Sequence, residues 1–381
     1  MGVILITKIY FVRHAESFGN LTRRAYGWYD GVVTPRGYEQ IECLRKKFEN
    51  IDVDVVYSSD LTRACETAKA IYKCKDIPLH TELGFREVSL GAWEDMPWGE
   101  IPENFPDAYF NWCEKPLSFD VPDGETYAMV YKRAKEALDK VVSQNEGKTI
   151  AIVSHGATLR MLMHGLVNGD CLEGVEKSHW GDNTCVSLFE CENGVYSEVF
   201  KNDNSHLSNM PNFEENMRWV KEGIGRNAAF RLAEFPEDKE KIRRYYSFAW
   251  REIFGEELEG FRDVDKKARR VLGKSKHSIA FAHCPSGEVG MIMLDEDICV
   301  YPNAGHISVV YLNPEFRRMR YGIQLIGHAM SYYKNIGKKH ISVRVAEDNI
   351  PAQNFYKKYG FYEAFREVED NTKQIVMLLD I

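Results

Sequence analysis

The chain has 381 residues, 44% of them hydrophobic and 28% charged, with a net charge of −8. That length provides for two or three domains with cores of their own, and the acidic balance disfavours a general nucleic-acid binder or a partner of anionic membranes. No apolar run is long enough to cross a bilayer, and the nine scattered cysteines, with no Cys-x-x-Cys pair, point to a reducing, cytoplasmic setting without a disulfide framework or structural zinc.

Residues 1–6 are apolar but lack a basic start and a small-residue cleavage site, so they read as a first strand and not a signal peptide. The β-branched run Ile9-Tyr10-Phe11-Val12 predicts a buried strand, and Arg13-His14-Ala15-Glu16 follows it directly. Thr34-Pro35-Arg36-Gly37 has the form of a capped helix start, with the helix running to about residue 48. A strand is expected over 53–57. Ser58-Ser59-Asp60 then offers capping oxygens to a helix over 61–72, which places Arg63 in a first turn that favours anions. A helix over 127–142, a strand over 149–153 ending in Ser154-His155-Gly156, and a helix over 157–166 complete the alternation. Such alternation predicts a largely parallel sheet covered on both faces. His14 and His155 then meet at the C-terminal edge of the strands, where such sheets place ligands. The adjacent Arg13 favours a phosphate as that ligand.

These residues resemble the histidine phosphatase family, in its phosphoglycerate-mutase-like branch. The family's Arg-His-Gly-Glu signature reads Arg13-His14-Ala15-Glu16 here, with Ala15 for the usual Gly. The resemblance continues through Asn20, Thr34 to Gly37, Ser59 to Ala64, Phe85-Arg86-Glu87, Gly91-Ala92-Trp93-Glu94, Pro122 to Glu125 and Ser154-His155-Gly156. It implies a three-layer α/β domain that cleaves a small-molecule phosphomonoester without metal. His14 would carry the phosphoryl group as phosphohistidine. Arg13, Arg63 and His155, with Asn20, would surround its charge. Glu87 would give the leaving group a proton and later take one from water. For that, an apolar wall or the bound dianion should favour its protonated form. A phosphoglycerate mutase is the alternative. The aromatic-rich segment 93–112 is either a lid over the leaving group or a loop burying its rings. His80, His164 and His179 read as ordinary polar or packed residues.

The polar, turn-rich stretch 201–212 marks a change of domain, giving a first domain over 1–208, a linker over 209–225 and a second domain over 226–381. Helices are expected over 237–254 and 264–272, then strands over 278–283, 289–294 and 306–312. A helix over 321–335, a strand over 340–345, a helix over 350–359 and a strand over 374–379 follow. Between the third of these strands and its helix lies Leu312-Asn313-Pro314-Glu315-Phe316-Arg317-Arg318-Met319-Arg320-Tyr321-Gly322, a basic loop opening a helix that can cradle a pyrophosphate. With Asn349 to Tyr356 and Tyr359-Gly360-Phe361, it resembles the GNAT-type N-acetyltransferases. The resemblance implies an α+β acyl-CoA N-acyltransferase domain that moves acetyl from acetyl-CoA to an amine. Leu312, Arg317, Arg318, Met319, Arg320, Tyr321, Gly322 and Asn349 would hold the cofactor, and Tyr356 would protonate the departing thiolate. Arg320 departs from the family pattern, standing where a Gly permits close backbone approach. It either blocks that approach or binds phosphate from the loop edge; retained binding is the expectation. Glu288, His306 and Glu347 are open candidates for a general base. The appended domain could otherwise bind acyl-CoA, or a partner, without turnover.

Overall fold

In the computed structural model, which describes residues 5–73, 75–211, 226–369 and 372–381, the run at 9–12 lies within strand β1 (Ile6–Arg13). The chain forms two compact units. In the first, β2 (Val55–Ser58), β3 (Leu79–Thr81), β4 (Thr149–Ser154), β5 (Val186–Glu192) and β6 (Val195–Asp203) join β1 in one sheet of order β3-β2-β4-β1-β5-β6. The first four are mutually parallel, as the alternation predicts. β5 and β6 run antiparallel on the other side of β1.

Those last two strands are a correction to the expected sheet. β6 is an edge strand with Val195 and Val199 exposed, so its apolar residues do not report burial. The polar run at 201–203 is the end of β6, and Leu207, just beyond it, is buried. The linker expected over 209–225 lies, past residue 211, outside the described residues.

One face of this sheet packs Val12, Val56, Ala151 and Val153 against Leu44 and Phe48 of the Pro35–Phe48 helix and Ala64, Ala68 and Ile71 of the Thr62–Tyr72 helix. Side chains alternate along a strand, so Phe11 and Ile152 face the other way. Thr34 caps its helix as expected, accepting from the Gly37 N–H at 2.9 Å, a contact worth about 1 kcal/mol. The Thr62–Tyr72 helix is capped differently from the sequence reading. Of Ser58-Ser59-Asp60, Ser59 alone turns its hydroxyl to this end, accepting from the Leu61 N–H at 3.3 Å, while Leu61 at the N-cap has no capping side chain. Asp30 takes the Thr62 N–H at 2.9 Å, and Asp60 instead binds the Arg86 guanidinium.

The second unit holds β7 (Ala229–Leu232), β8 (Ile279–Cys284), β9 (Gly287–Asp295), β10 (Ala304–Leu312), β11 (His340–Ala346), β12 (Tyr362–Glu369) and β13 (Thr372–Asp380). Their order is β12-β13-β11-β10-β9-β8-β7. The Lys239–Phe254 and Arg262–Lys274 helices lay Ile242, Tyr245, Ala249, Val264, Ala268 and Val271 on Phe281, Met291, Met293, Val309 and Tyr311. β7 and β12 were not evident from sequence; β12 leaves Tyr362, Phe365 and Val368 exposed at the sheet's edge. Among the described residues, no helix is long and apolar enough to cross a membrane.

Candidate active sites

Parallel pairing of β1 with β4 sets Arg13 opposite Ser154, so the next residue on each strand is a histidine. The His14 N–H donates to the Ser154 carbonyl at 2.9 Å, and the two imidazole rings lie 5.0 Å apart. His14 Nδ1 stands 2.7 Å from the Ala15 carbonyl oxygen. An oxygen there can only accept, so Nδ1 carries the proton and Nε2 keeps its lone pair. Asn183, which the sequence reading did not single out, donates to the His14 carbonyl at 2.9 Å.

Both histidines are buried, and burial is the largest cause holding each well below the usual 6.5. Arg63 and then Arg13 add to it at His14; Arg63, His14, Arg133 and Arg13 add to it at His155. His155 is therefore a neutral member of the cage and not, by itself, a cation. Both of its ring nitrogens, and Arg13 Nε, are buried without a hydrogen-bond partner. Three polar atoms in this state beside one another mark a place built for a polar ligand.

Arg63 is 1% exposed. Its guanidinium donates to the carbonyls of Tyr29 at 3.1 Å and Gly27 at 2.7 Å. The backbone of the sequence-distant segment 27–29, and not the helix turn alone, aims this cation. Arg13 donates to the Gly181 carbonyl. The Arg13 guanidinium lies against the start of the Gly156–Val167 helix, where a Cβ on Gly156 would meet it at 3.4 Å, an ordinary contact distance. Asn20 accepts from the Ser17 N–H and hydroxyl, both at 3.1 Å, through its carbonyl oxygen. That orients its amide and keeps its NH2 as the donating end.

Glu87 meets donors and not the expected apolar wall. Its carboxylate accepts from the N–H groups of Val88 at 3.0 Å, Ala157 at 3.2 Å and Thr158 at 3.1 Å. It thus sits at the N-terminus of the helix that follows His155. Arg133 fixes the backbone beneath it, donating to the carbonyls of Gly84, Arg86 and Glu87, each at 2.8 Å, while Glu125 accepts from the same guanidinium. Arg133 was not singled out from sequence, although it lies on an expected helix.

Segment 93–112 is not the long irregular stretch that the sequence suggests. It forms the Ile101–Asn104 helix and most of the Pro106–Glu114 helix, with Trp93 fully buried. Trp112 packs on Trp93, Phe119, Tyr127 and Trp180. His164 is satisfied by Ser178 and the Glu173 carbonyl, and His80 lies against Tyr57. His179 is exposed.

In the second unit, β10 pairs with β11 only over 304–307, although β10 continues to Leu312 and β11 to Ala346. A bulge between Ile307 and Val309 marks the parting of the two strands. Beyond it, the β10 edge facing β11 has no strand partner, and Ser308 Oγ is buried without a hydrogen-bond partner. The loop from Leu312 leads to the Tyr321–Asn335 helix, whose first N–H groups are free of helix partners by geometry. Arg318 (φ 59°) and Arg320 (φ 63°) both adopt the left-handed conformation that favours glycine. A chain turning this way presents successive N–H groups to an anion, so the backbone fits a pyrophosphate.

Some expected ligands have other duties. Arg317 donates to the Leu312 carbonyl at 3.0 Å and pairs with Glu252, so it braces the loop. Tyr321 is buried, edge-on to Phe316. Met319 is half-buried. Gly322 admits Phe355, whose ring would stand 3.0 Å from a Cβ there. The Asn349 carbonyl oxygen caps the Ile350–Lys358 helix at the Ala352 N–H, 3.1 Å away. Tyr356 packs edge-on to Phe355 and Phe361, and burial pushes its hydroxyl pKa up.

The open candidates for a base fare unequally. His306 belongs to the core: its Nδ1 bonds Ser342 at 3.0 Å, and burial, with Arg344 and Lys267 adding, holds it down at about 3. At Glu288, burial raises the pKa, but Lys241, Tyr245 and Arg244 outweigh it and hold the carboxyl below its usual range. Glu347 is paired with Arg366.

Two family models match this chain. Residues 9–204 match the family model of the Histidine phosphatase superfamily (branch 1), and residues 239–361 match that of the Acetyltransferase (GNAT) family. Phosphoserine phosphatase 1 of Hydrogenobacter thermophilus is 31% identical over 194 residues, covering 51% of this chain and 86% of its own length. The metal-independent phosphoserine phosphatase of Arabidopsis thaliana is 29% identical over 160 residues, 41% of this chain and 67% of its own. Among solved structures, Bacillus stearothermophilus YhfR superposes with a TM-score of 0.51 at 31% identity, over 53% of this chain and 100% of its own.

Proposed function

This chain belongs to the histidine phosphatase superfamily (branch 1), and on that premise we propose that its first unit hydrolyses a phosphomonoester through a phosphohistidine on His14, without a metal ion. The observation that carries this reading is the tautomer of His14, whose Nδ1–H is committed to the Ala15 carbonyl. The Nε2 lone pair attacks phosphorus, and the bond from phosphorus to the ester oxygen breaks. Glu87, protonated, gives the leaving oxygen its proton. Water then loses a proton to Glu87 and attacks phosphorus, the N–P bond breaks, and His14 recovers its lone pair. Arg13 and Arg63 stand beside the transferring group, which needs its charge stabilised on three oxygens. A bound dianion raises the proton affinity of His155, so that charge arrives there with the ligand. Phosphoserine is the first substrate to try, because relatives named for it cover this site.

The low proton affinity of His14 gives this mechanism a pH signature. A nucleophile of ordinary histidine pKa loses half its active form at pH 6.5. Here the neutral form persists well below that value, so kcat/KM, corrected for the substrate phosphate's own ionisation near pH 6, should stay level as pH falls through 6.5. An acid limb centred at 6.5 would contradict a nucleophile held neutral in this cage.

The chain also carries a GNAT acetyltransferase domain, for which we propose acetyl transfer to an amine. Acetyl-CoA supplies the acyl group and a thiolate leaving group. The loop from Leu312 to Gly322 and the parted edges of β10 and β11 would hold it. Tyr356 keeps its proton because burial disfavours the phenolate, which suits a donor to the thiolate. Arg320 occupies a left-handed backbone position, which costs a non-glycine residue about 1 kcal/mol. Arg320→Gly should therefore fold at least as well and bind acetyl-CoA as tightly or more so by calorimetry. Loss of binding in that variant would assign the phosphate contact to the guanidinium and overturn the backbone cradle.

A further inference from the structure

The Glu94 carboxylate is seated in four backbone N–H groups. It accepts from Gly27 at 3.1 Å, Trp28 at 2.7 Å, Tyr29 at 2.8 Å and Leu90 at 2.8 Å. The same short segment turns its carbonyls the other way, toward Arg63: Gly27 O at 2.7 Å and Tyr29 O at 3.1 Å. Residues 27–29 are thus held between an anion on their N–H side and a cation on their C=O side. Peptide dipoles aligned between the two charges strengthen both sets of bonds. Gly27 is the residue that permits this seat. A Cβ there would lie 2.4 Å from a Glu94 oxygen and 2.3 Å from the Val88 carbonyl.

The clamp reaches the acid as well. Leu90 lies three residues beyond Glu87, and the Trp28 indole N–H donates to the Glu87 carbonyl at 2.8 Å. Arg86 stacks over the Trp28 ring at 4.9 Å. One carboxylate therefore ties the strap that aims Arg63 to the strand of chain that carries Glu87.

We propose that Glu94 is a positioning residue of the phosphatase site, acting through residues 27–29 to hold the Arg63 guanidinium where the phosphoryl oxygens bind. This rests on the assignment of Arg63 to the phosphate pocket. Glu94 touches no substrate; its effect travels through backbone. In Glu94→Gln the amide NH2 faces N–H donors in place of a carboxylate oxygen, so the strap loses bonds and Arg63 loses its fixed aim.

The test is a double-mutant cycle on the full chain with Glu94→Gln and Arg63→Ala, read by kcat, KM and orthovanadate affinity. Glu94→Gln alone should weaken orthovanadate binding and kcat/KM by about tenfold or more. In the Arg63→Ala background it should change either by less than about twofold, because the group through which it acts is gone. The full loss appearing in both backgrounds would overturn the proposal, as would unchanged orthovanadate affinity in Glu94→Gln. If Glu94→Gln does not fold, Glu94→Asp, which withdraws the carboxylate by one methylene, carries the same cycle with a smaller expected loss. A wild-type chain that binds orthovanadate but turns over no phosphomonoester would refute the hydrolase reading alone, since the affinity cycle still decides on Glu94.

Discussion

His14→Ala is expected to lower phosphomonoester turnover by about 10⁴-fold or more, to the level set by binding and charge stabilisation without a nucleophile. Arg13, Arg63 and His155 remain in that variant, so orthovanadate or phosphate should still bind. Acetyl-CoA binding should not change, because every residue assigned to it lies between 308 and 356. Substantial residual turnover in a folded His14→Ala chain would mean that another group, or water directly, attacks phosphorus. The ring's removal leaves a small cavity among buried groups, and a thermal midpoint measured alongside separates lost chemistry from lost fold.

Glu87→Gln should have the second-largest effect, and its size should depend on the leaving group. With phosphoserine, whose alkoxide needs a proton, a loss of about 10²–10⁴-fold is expected. With p-nitrophenyl phosphate the first step needs little acid help, but the second still lacks its base. Nitrophenol should therefore appear as a burst of one equivalent per active site, followed by slow turnover. An equal loss for both substrates without a burst would show that Glu87 serves binding and not proton transfer. Gln can accept the Val88, Ala157 and Thr158 N–H bonds through only one oxygen, so a modest fall in stability should accompany the change.

The two histidines were legible because each follows an apolar, β-branched strand, and a parallel sheet brings such strand ends together. The pairing of Arg13 with Ser154 turns that expectation into neighbouring rings. The Thr34 cap was legible too, since its partner lies three residues away. What escaped were bonds that span long stretches of chain. Asp30 caps a helix 32 residues downstream, and Glu94 grips a segment 65 to 67 residues upstream. No local pattern announces either.

His306 shows the opposite failure. Its place at the expected start of a strand suggested access, but β10 begins at Ala304 and lies inside its sheet, so the imidazole points into the core. Arg317 is a cofactor ligand by resemblance to the acetyltransferase loop, whereas the fold spends its charge on the Leu312 carbonyl and Glu252. The strands β6 and β12 were missed because edge strands expose apolar residues that periodicity assigns to a core. Arg320, the one departure from the cofactor-loop pattern, keeps the backbone conformation a glycine would adopt. The chain preserves the loop's path while changing the side chain upon it.

The phosphohistidine itself is the most direct test. The chain would be mixed with radiolabelled phosphomonoester, quenched in alkali within the first turnover, and mapped by peptide mass spectrometry. The mechanism predicts an acid-labile, alkali-stable phosphoryl group on the peptide that holds His14, up to one per chain, and none in His14→Ala. Continued turnover with label on another residue, or with none at any quench time, would contradict it.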